Sequence, residues 1–218
     1  MHLPFTSAAF LGVFRQYNET VWPAQVFLLG LALVTVVLVL KPTRRSGVGV
    51  SLILGLFWAW LGVAYHLMFF ARINPFAYVF SAASVAGAVT FIWQGVVRRR
   101  LHFAWQGNAR GLTGSALLVF ALIVYPVWSR IAGHPFPSTP TFGLPCPTTL
   151  FTVGVLAFLV APYPRSVYVV PIIWCAVGAQ AAFLLGVHQD LALLAAGAAA
   201  LVLAARSKGA PAPLDPHR

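Results

Sequence analysis

Cys146 is set between Pro145 and Pro147 in the stretch Thr141-Phe142-Gly143-Leu144-Pro145-Cys146-Pro147-Thr148-Thr149. A reactive thiol, a helix start and clustered prolines coincide there. With Cys146 read as the N-cap and Pro147 as the first helical residue, Thr148 and Thr149 fall in the first turn. Free backbone N–H groups at such a start favour anions and thiolates. Cys146 could then serve as a thiolate metal ligand, a redox thiol or part of an anion-binding turn. The plainer alternative is a small packed side chain whose prolines shape the turn.

Other chemistry-bearing residues are few. His66 follows Trp58, Trp60 and Tyr65 in an apolar run. An ionisable group there is a functional candidate, or else an imidazole bonded to a loop carbonyl. Glu19 and Asp190 are the acids outside the tail. Asp190 reads as a helix cap and Glu19 as a cap or dipole partner, although both could bind or relay a cation. Arg72 and Arg130 could hold an anion or pair with those acids. Thiolate, imidazole and carboxylate from Cys146, His66 and Glu19 would suit copper or zinc, but no spacing matches a metal motif. Cys175 lies on a different segment, with nothing to suggest a disulfide. Walker, GxSxG and HExxH patterns are missing. Enzyme activity is therefore an open reading.

The elements that must position these residues are apolar. The chain has 218 residues, 60% hydrophobic and 8% charged. Soluble domains carry about 25% charged residues, so the bilayer is the expected solvent. The mean hydropathy of +0.87 agrees. The net charge of +11 would otherwise suggest nucleic acid, but the basic residues fall between apolar runs, where topology accounts for them. Nucleic acid is therefore not an expected partner.

The reading is an all-α, polytopic transmembrane bundle of about seven spans, forming one domain over residues 1–206. The spans are placed near 21–40, 48–70, 75–97, 111–131, 147–161, 166–185 and 190–205. A short amphipathic helix over residues 6–18, with Thr6 as its cap, precedes them and is expected to lie in the interface. Residues 207–218 are Pro-rich and polar and read as a disordered cytoplasmic tail. With the N-terminus outside, inner segments hold 11 of the 14 basic residues, leaving Arg15, Arg72 and Arg130 outside. That asymmetry obeys the positive-inside rule. The N-terminus has no basic n-region, so no cleaved signal peptide is expected.

Depth brings the candidates together. Counted from the inner ends, Tyr125, Cys146 and Gln180 share a level about 21 Å up. Tyr65 and His66 lie slightly higher, and Gln25 lies near the outer surface. The fifth span covers only about 22 Å, so its start must lie below the outer surface and its loop must dip to meet it. Short spans point to a transporter's site. The expected outward-facing polar pocket comprises Gln25, Tyr65, His66, Tyr125, Cys146, Thr148, Thr149 and Gln180. No Asp or Glu is placed within a span, which argues against coupling through a mid-membrane carboxylate.

Val21-Trp22-Pro23-Ala24-Gln25, Trp58-Ala59-Trp60, Ala64-Tyr65-His66-Leu67, Phe69-Phe70 with Asn74-Pro75, and Thr141 through Thr149 carry a further signal. Together they resemble a family of uncharacterised bacterial multi-pass membrane proteins, catalogued as a domain of unknown function. Its members are sometimes labelled permeases of the major facilitator type. The resemblance covers most of the chain and implies a bacterial integral membrane protein, with no site residues to carry over.

The functional expectation is a permease for a small solute or ion, or its binding subunit, in the bacterial cytoplasmic (inner) membrane. The alternatives are a membrane-embedded thiol- or metal-dependent enzyme using Cys146, and a non-catalytic assembly or scaffold protein. The lipid bilayer is the expected partner, and a homo- or hetero-oligomer stays open.

Overall fold

The computed structural model describes residues 4–208. From residue 209 onward, the expected disordered tail lies outside the described residues. The chain is an all-α helical bundle with eight helices among the described residues: α1 Ser7–Val21, α2 Ala24–Leu40, α3 Ser46–Arg72, α4 Ala77–Val97, α5 Ala109–Ile131, α6 Pro145–Leu156, α7 Ser166–Leu184 and α8 His188–Ala205. Five of them, α3, α4, α5, α7 and α8, are long and apolar enough to cross a membrane. A sixth crossing arises if the bent pair of α1 and α2 counts as one span. Against the expected seven, the fifth apolar segment, α6, is only 12 residues long and falls short of a crossing.

The first helix behaves as its pattern suggests. Thr6 caps α1, its hydroxyl accepting from the Ala9 N–H at 3.2 Å. Phe10, Val13, Phe14 and Tyr17 bury one face, while Arg15, Gln16 and Glu19 stay exposed. At Trp22-Pro23 the chain turns by 87° into α2. Glu19 therefore belongs to the last turn of α1 and caps nothing.

α6 is the centre of the bundle. Of its 12 residues, only Cys146 is not buried. It is surrounded by α3, α5, α7 and α8. A helix this short inside an apolar bundle needs partners for both of its ends. At its C-terminal end the Tyr168 hydroxyl donates to the Leu156 carbonyl at 2.8 Å, and Arg110 donates to the Leu159 carbonyl at 3.0 Å. The connector after α4 also turns inward: Leu101 and Phe103 are buried, and Ala104 N–H donates to the Phe158 carbonyl. The sequence marked this connector only as polar.

The basic loops meet at that same end. Trp105 N–H reaches the Val39 carbonyl, Tyr163 N–H reaches the Ser207 carbonyl, and Arg165 donates to the Ser207 hydroxyl. Lys41, Arg98, Arg110, Arg165 and Arg206 therefore gather at one pole of the bundle. The outer face of the helices carries exposed Phe27, Leu33, Val79, Val89, Ile123 and Leu201. Exposed apolar side chains of this number fit a lipid-facing belt.

Candidate functional site

At the pole opposite the basic loops, the segment 132–144 dips inward to start α6. Asn18 of α1 holds it. The Asn18 amide donates to the carbonyls of Pro137 at 2.6 Å and Thr139 at 2.7 Å. Its carbonyl oxygen accepts from the Thr141 hydroxyl at 2.6 Å. At the preceding residue of α1, the Tyr17 hydroxyl accepts from the Trp60 indole of α3 at 2.7 Å and donates to the Gly143 carbonyl at 3.2 Å. Gly143 sits at φ +99° with Leu28 and Tyr17 against it, so a side chain there would be strained and would collide.

The helix start differs from the expected one. Leu144 is the N-cap, so Pro145, Cys146 and Pro147 are the first three helical residues. Two of the three lack an N–H, leaving the Cys146 amide alone among them. This removes the basis for an anion-binding helix terminus. Thr148 is turned away from the thiol: two residues on, at 3.6 per turn, it faces about 200° round the helix. Its hydroxyl accepts from Gly143 N–H at 3.2 Å.

Beside Cys146 lies a cavity of about 320 Å³. Its walls are aromatic rather than polar. Phe10 and Phe14 of α1, Tyr65 and Phe70 of α3, Phe80 of α4 and Trp174 of α7 all line it. The rings touch in series: Phe14–Phe10 at 4.6 Å, Phe10–Phe70 at 6.0 Å, Phe70–Phe80 at 6.4 Å and Phe80–Trp174 at 5.3 Å. The Tyr65 ring stacks on Phe70 at 5.7 Å. Tyr65, Asn74, Tyr125 and Cys146 are its polar lining residues, with Gln180 exposed at the rim.

Four of the eight expected residues thus meet at the cavity: Tyr65, Tyr125, Cys146 and Gln180. The other four do not line it. Gln25 is consumed by α1, donating to the Asn18 carbonyl at 3.0 Å. His66 follows Tyr65 in a π-helical stretch of α3, Leu61–Leu67, and turns to a different set of neighbours. Its ring packs on Trp174 at 5.0 Å and its Nδ1 lies 3.4 Å from the Ser84 hydroxyl. That hydroxyl already donates to the Phe80 carbonyl, so Nδ1 carries the proton and Nε2 is left buried without a partner. Thr148 holds the loop, and Thr149 is buried with its hydroxyl unpaired.

The residue that sequence reasoning misplaced is Asp190. It lies in a 3-10 turn ahead of the Ala192–Ala205 α-helix and does not cap it. It is 1% exposed. Its carboxylate accepts from the Tyr125 hydroxyl at 2.5 Å. One turn further along α5, Ser129 accepts from Gln189 at 2.8 Å, so two adjacent polar pairs fix the 188–190 turn on α5. Cys146 lines the same cavity as the Tyr125 that holds this carboxylate. Among the described residues, the hydrogen bond on the Asp190 carboxylate comes from a phenol and not from a cation. A buried carboxylate therefore does sit in an apolar helical segment, contrary to expectation.

Trp174 completes the floor. Its indole N–H is buried with no well-formed hydrogen bond. A Cβ placed on Gly178 would lie 3.2 Å from that nitrogen and 3.4 Å from the Cys146 sulfur. The small residue at 178 is thus what keeps the space between α6 and α7 open. The expected metal set is not assembled: Glu19 is exposed on α1, His66 turns toward Ser84, and among the described residues no three His, Cys, Asp or Glu groups converge on a metal position.

A family model described as a family of unknown function, DUF6064, matches residues 7–211. The chain belongs to the DUF6064 family. The match spans all eight helices, from the first residue of α1 to beyond the end of α8. No curated protein and no solved structure matches this DUF6064 chain.

Proposed function

We propose that this DUF6064 protein is a multi-pass protein of the bacterial cytoplasmic membrane that binds a small, largely apolar molecule. It would act as a permease or as its binding subunit. In this reading the N-terminus is outside, the basic pole faces the cytoplasm, and the Cys146 cavity opens outward. The observation that carries the proposal is the open space itself. Protein interiors are close-packed, and an aromatic-walled cavity of about 320 Å³ with an unpaired indole N–H is what a ligand site looks like. Native mass spectrometry of the purified protein, wild type beside Gly178→Met, tests it. A small-molecule adduct carried by wild type and lost from a folded Gly178→Met variant supports the reading. An adduct held equally by both contradicts it.

A second reading rests on Asp190. The Tyr125 hydroxyl holds the Asp190 carboxylate and Cys146 lines the same cavity as Tyr125, so a proton leaving the thiol has a carboxylate acceptor nearby. A membrane-embedded thiol enzyme would use that arrangement. Cys146→Ser would then abolish turnover, whereas a binding protein with this aromatic wall would keep most of its affinity.

A further inference from the structure

The cavity's wall and its charge surroundings carry more than the existence of a site. In a chain of net charge +11, no Lys, Arg or His lines the cavity among the described residues. The nearest ionisable carboxylate, Asp190, lies directly under the floor and has no cationic partner. Tyr125 spends its hydroxyl proton on Asp190, so its oxygen offers the cavity lone pairs only. Around this floor, Phe14, Phe10, Phe70, Phe80 and Trp174 form an unbroken run of rings, with Tyr65 stacked against Phe70. Aromatic faces carry negative charge density and attract a cation, most of all one poorly hydrated.

A buried carboxylate held only by a neutral hydroxyl keeps an uncompensated charge, and a cationic ligand offsets it. An anion meets the opposite conditions: aromatic faces, a buried carboxylate and a helix start with two prolines among its first three residues, while the donors on the wall, the Trp174 indole and the Asn74 and Gln180 amides, are neutral. From this we propose that the occupant is a small organic cation, a quaternary or tertiary ammonium. Its alkyl groups lie against the rings and its charge sits above Tyr125, Cys146 and Asp190. The inference rests on the cavity being a binding site.

The test is a pair of molecules that differ in charge and little in shape: choline and its carbon isostere 3,3-dimethyl-1-butanol. Both are titrated by calorimetry into the protein reconstituted in nanodiscs. Choline is expected to bind at least about tenfold more tightly than the neutral isostere. The preference should collapse in Asp190→Asn and survive in Tyr125→Phe, which keeps the carboxylate. Equal binding of the two molecules by wild type overturns the cation inference and leaves the binding site standing. Binding of neither overturns both. If Asp190→Asn does not fold, the wild-type comparison alone decides.

Discussion

The Tyr125 hydroxyl donates to the Asp190 carboxylate at 2.5 Å, tying α5 to the turn that begins α8. Both side chains are buried, and the phenol ring forms part of the cavity floor. Tyr125→Phe removes that donor from the buried carboxylate. The expected loss is about 1–3 kcal/mol. A double-mutant cycle with Asp190→Asn, read from thermal unfolding in detergent, should be strongly non-additive. Additive losses would mean the two groups do not act together.

Gly178 is the second lever. An added Cβ would lie 2.7 Å from Leu193 Cδ1 as well as close to Trp174 and Cys146. Gly178→Ala is expected to cost about 1–3 kcal/mol through overpacking and to shrink the cavity. Gly12→Ala has nothing within 4 Å and is the matching control. Equal melting temperatures for the two variants would contradict the packing described.

The loop that starts α6 should depend on one side chain. Asn18→Ala strips donors and acceptors from the Pro137, Thr139 and Thr141 contacts at once. Limited proteolysis is expected to cut within residues 132–144 faster than in wild type. An unchanged cleavage rate would show that packing of the buried Leu144 and the partly buried Phe142 holds the loop without Asn18.

How far the sequence led can be judged residue by residue. Apolar spacing placed the long helices, and the shortness of the fifth segment pointed to a dipping loop, although that segment reads as a span and is a 12-residue buried helix. Depth counting brought Tyr125, Cys146 and Gln180 to one level, where they do line one cavity. Depth, however, ignores azimuth. Tyr65 and His66 share a level but face different neighbours, and Thr148 is on the far side of its helix from Cys146. Helical periodicity alone could have separated them. Asp190 was harder. A lone acid ahead of an Ala- and Leu-rich helix reads as a cap, and only the 3-10 turn aims it inward. The signal available was its isolation, a lone acid at the head of an apolar run in a strongly basic chain. The inward course of Leu101 and Phe103 had a similar signal, two large apolar residues after three arginines.

His66 tests how much of the polar interior is structural. Its Nε2 is buried without a partner, so the imidazole gives up a hydrogen bond it could make to water. His66→Phe keeps a ring against Trp174 and removes the unpaired atom. It is expected to be stability-neutral within about 1 kcal/mol, or stabilising, by thermal unfolding. A large loss would mean that Nε2 has a partner, such as an ordered water.

The central claim is an open, ligand-sized space at Cys146 reached from the outer side. Labelling by small methanethiosulfonate reagents measures it directly. In sealed vesicles of known orientation, Cys146 should react from the outer face while buried Cys175 stays unlabelled. Filling the cavity in Gly178→Met should slow the reaction by at least about tenfold, a loss of access rather than of fold. No reaction at Cys146, or an equal rate in the filled variant, would contradict the account.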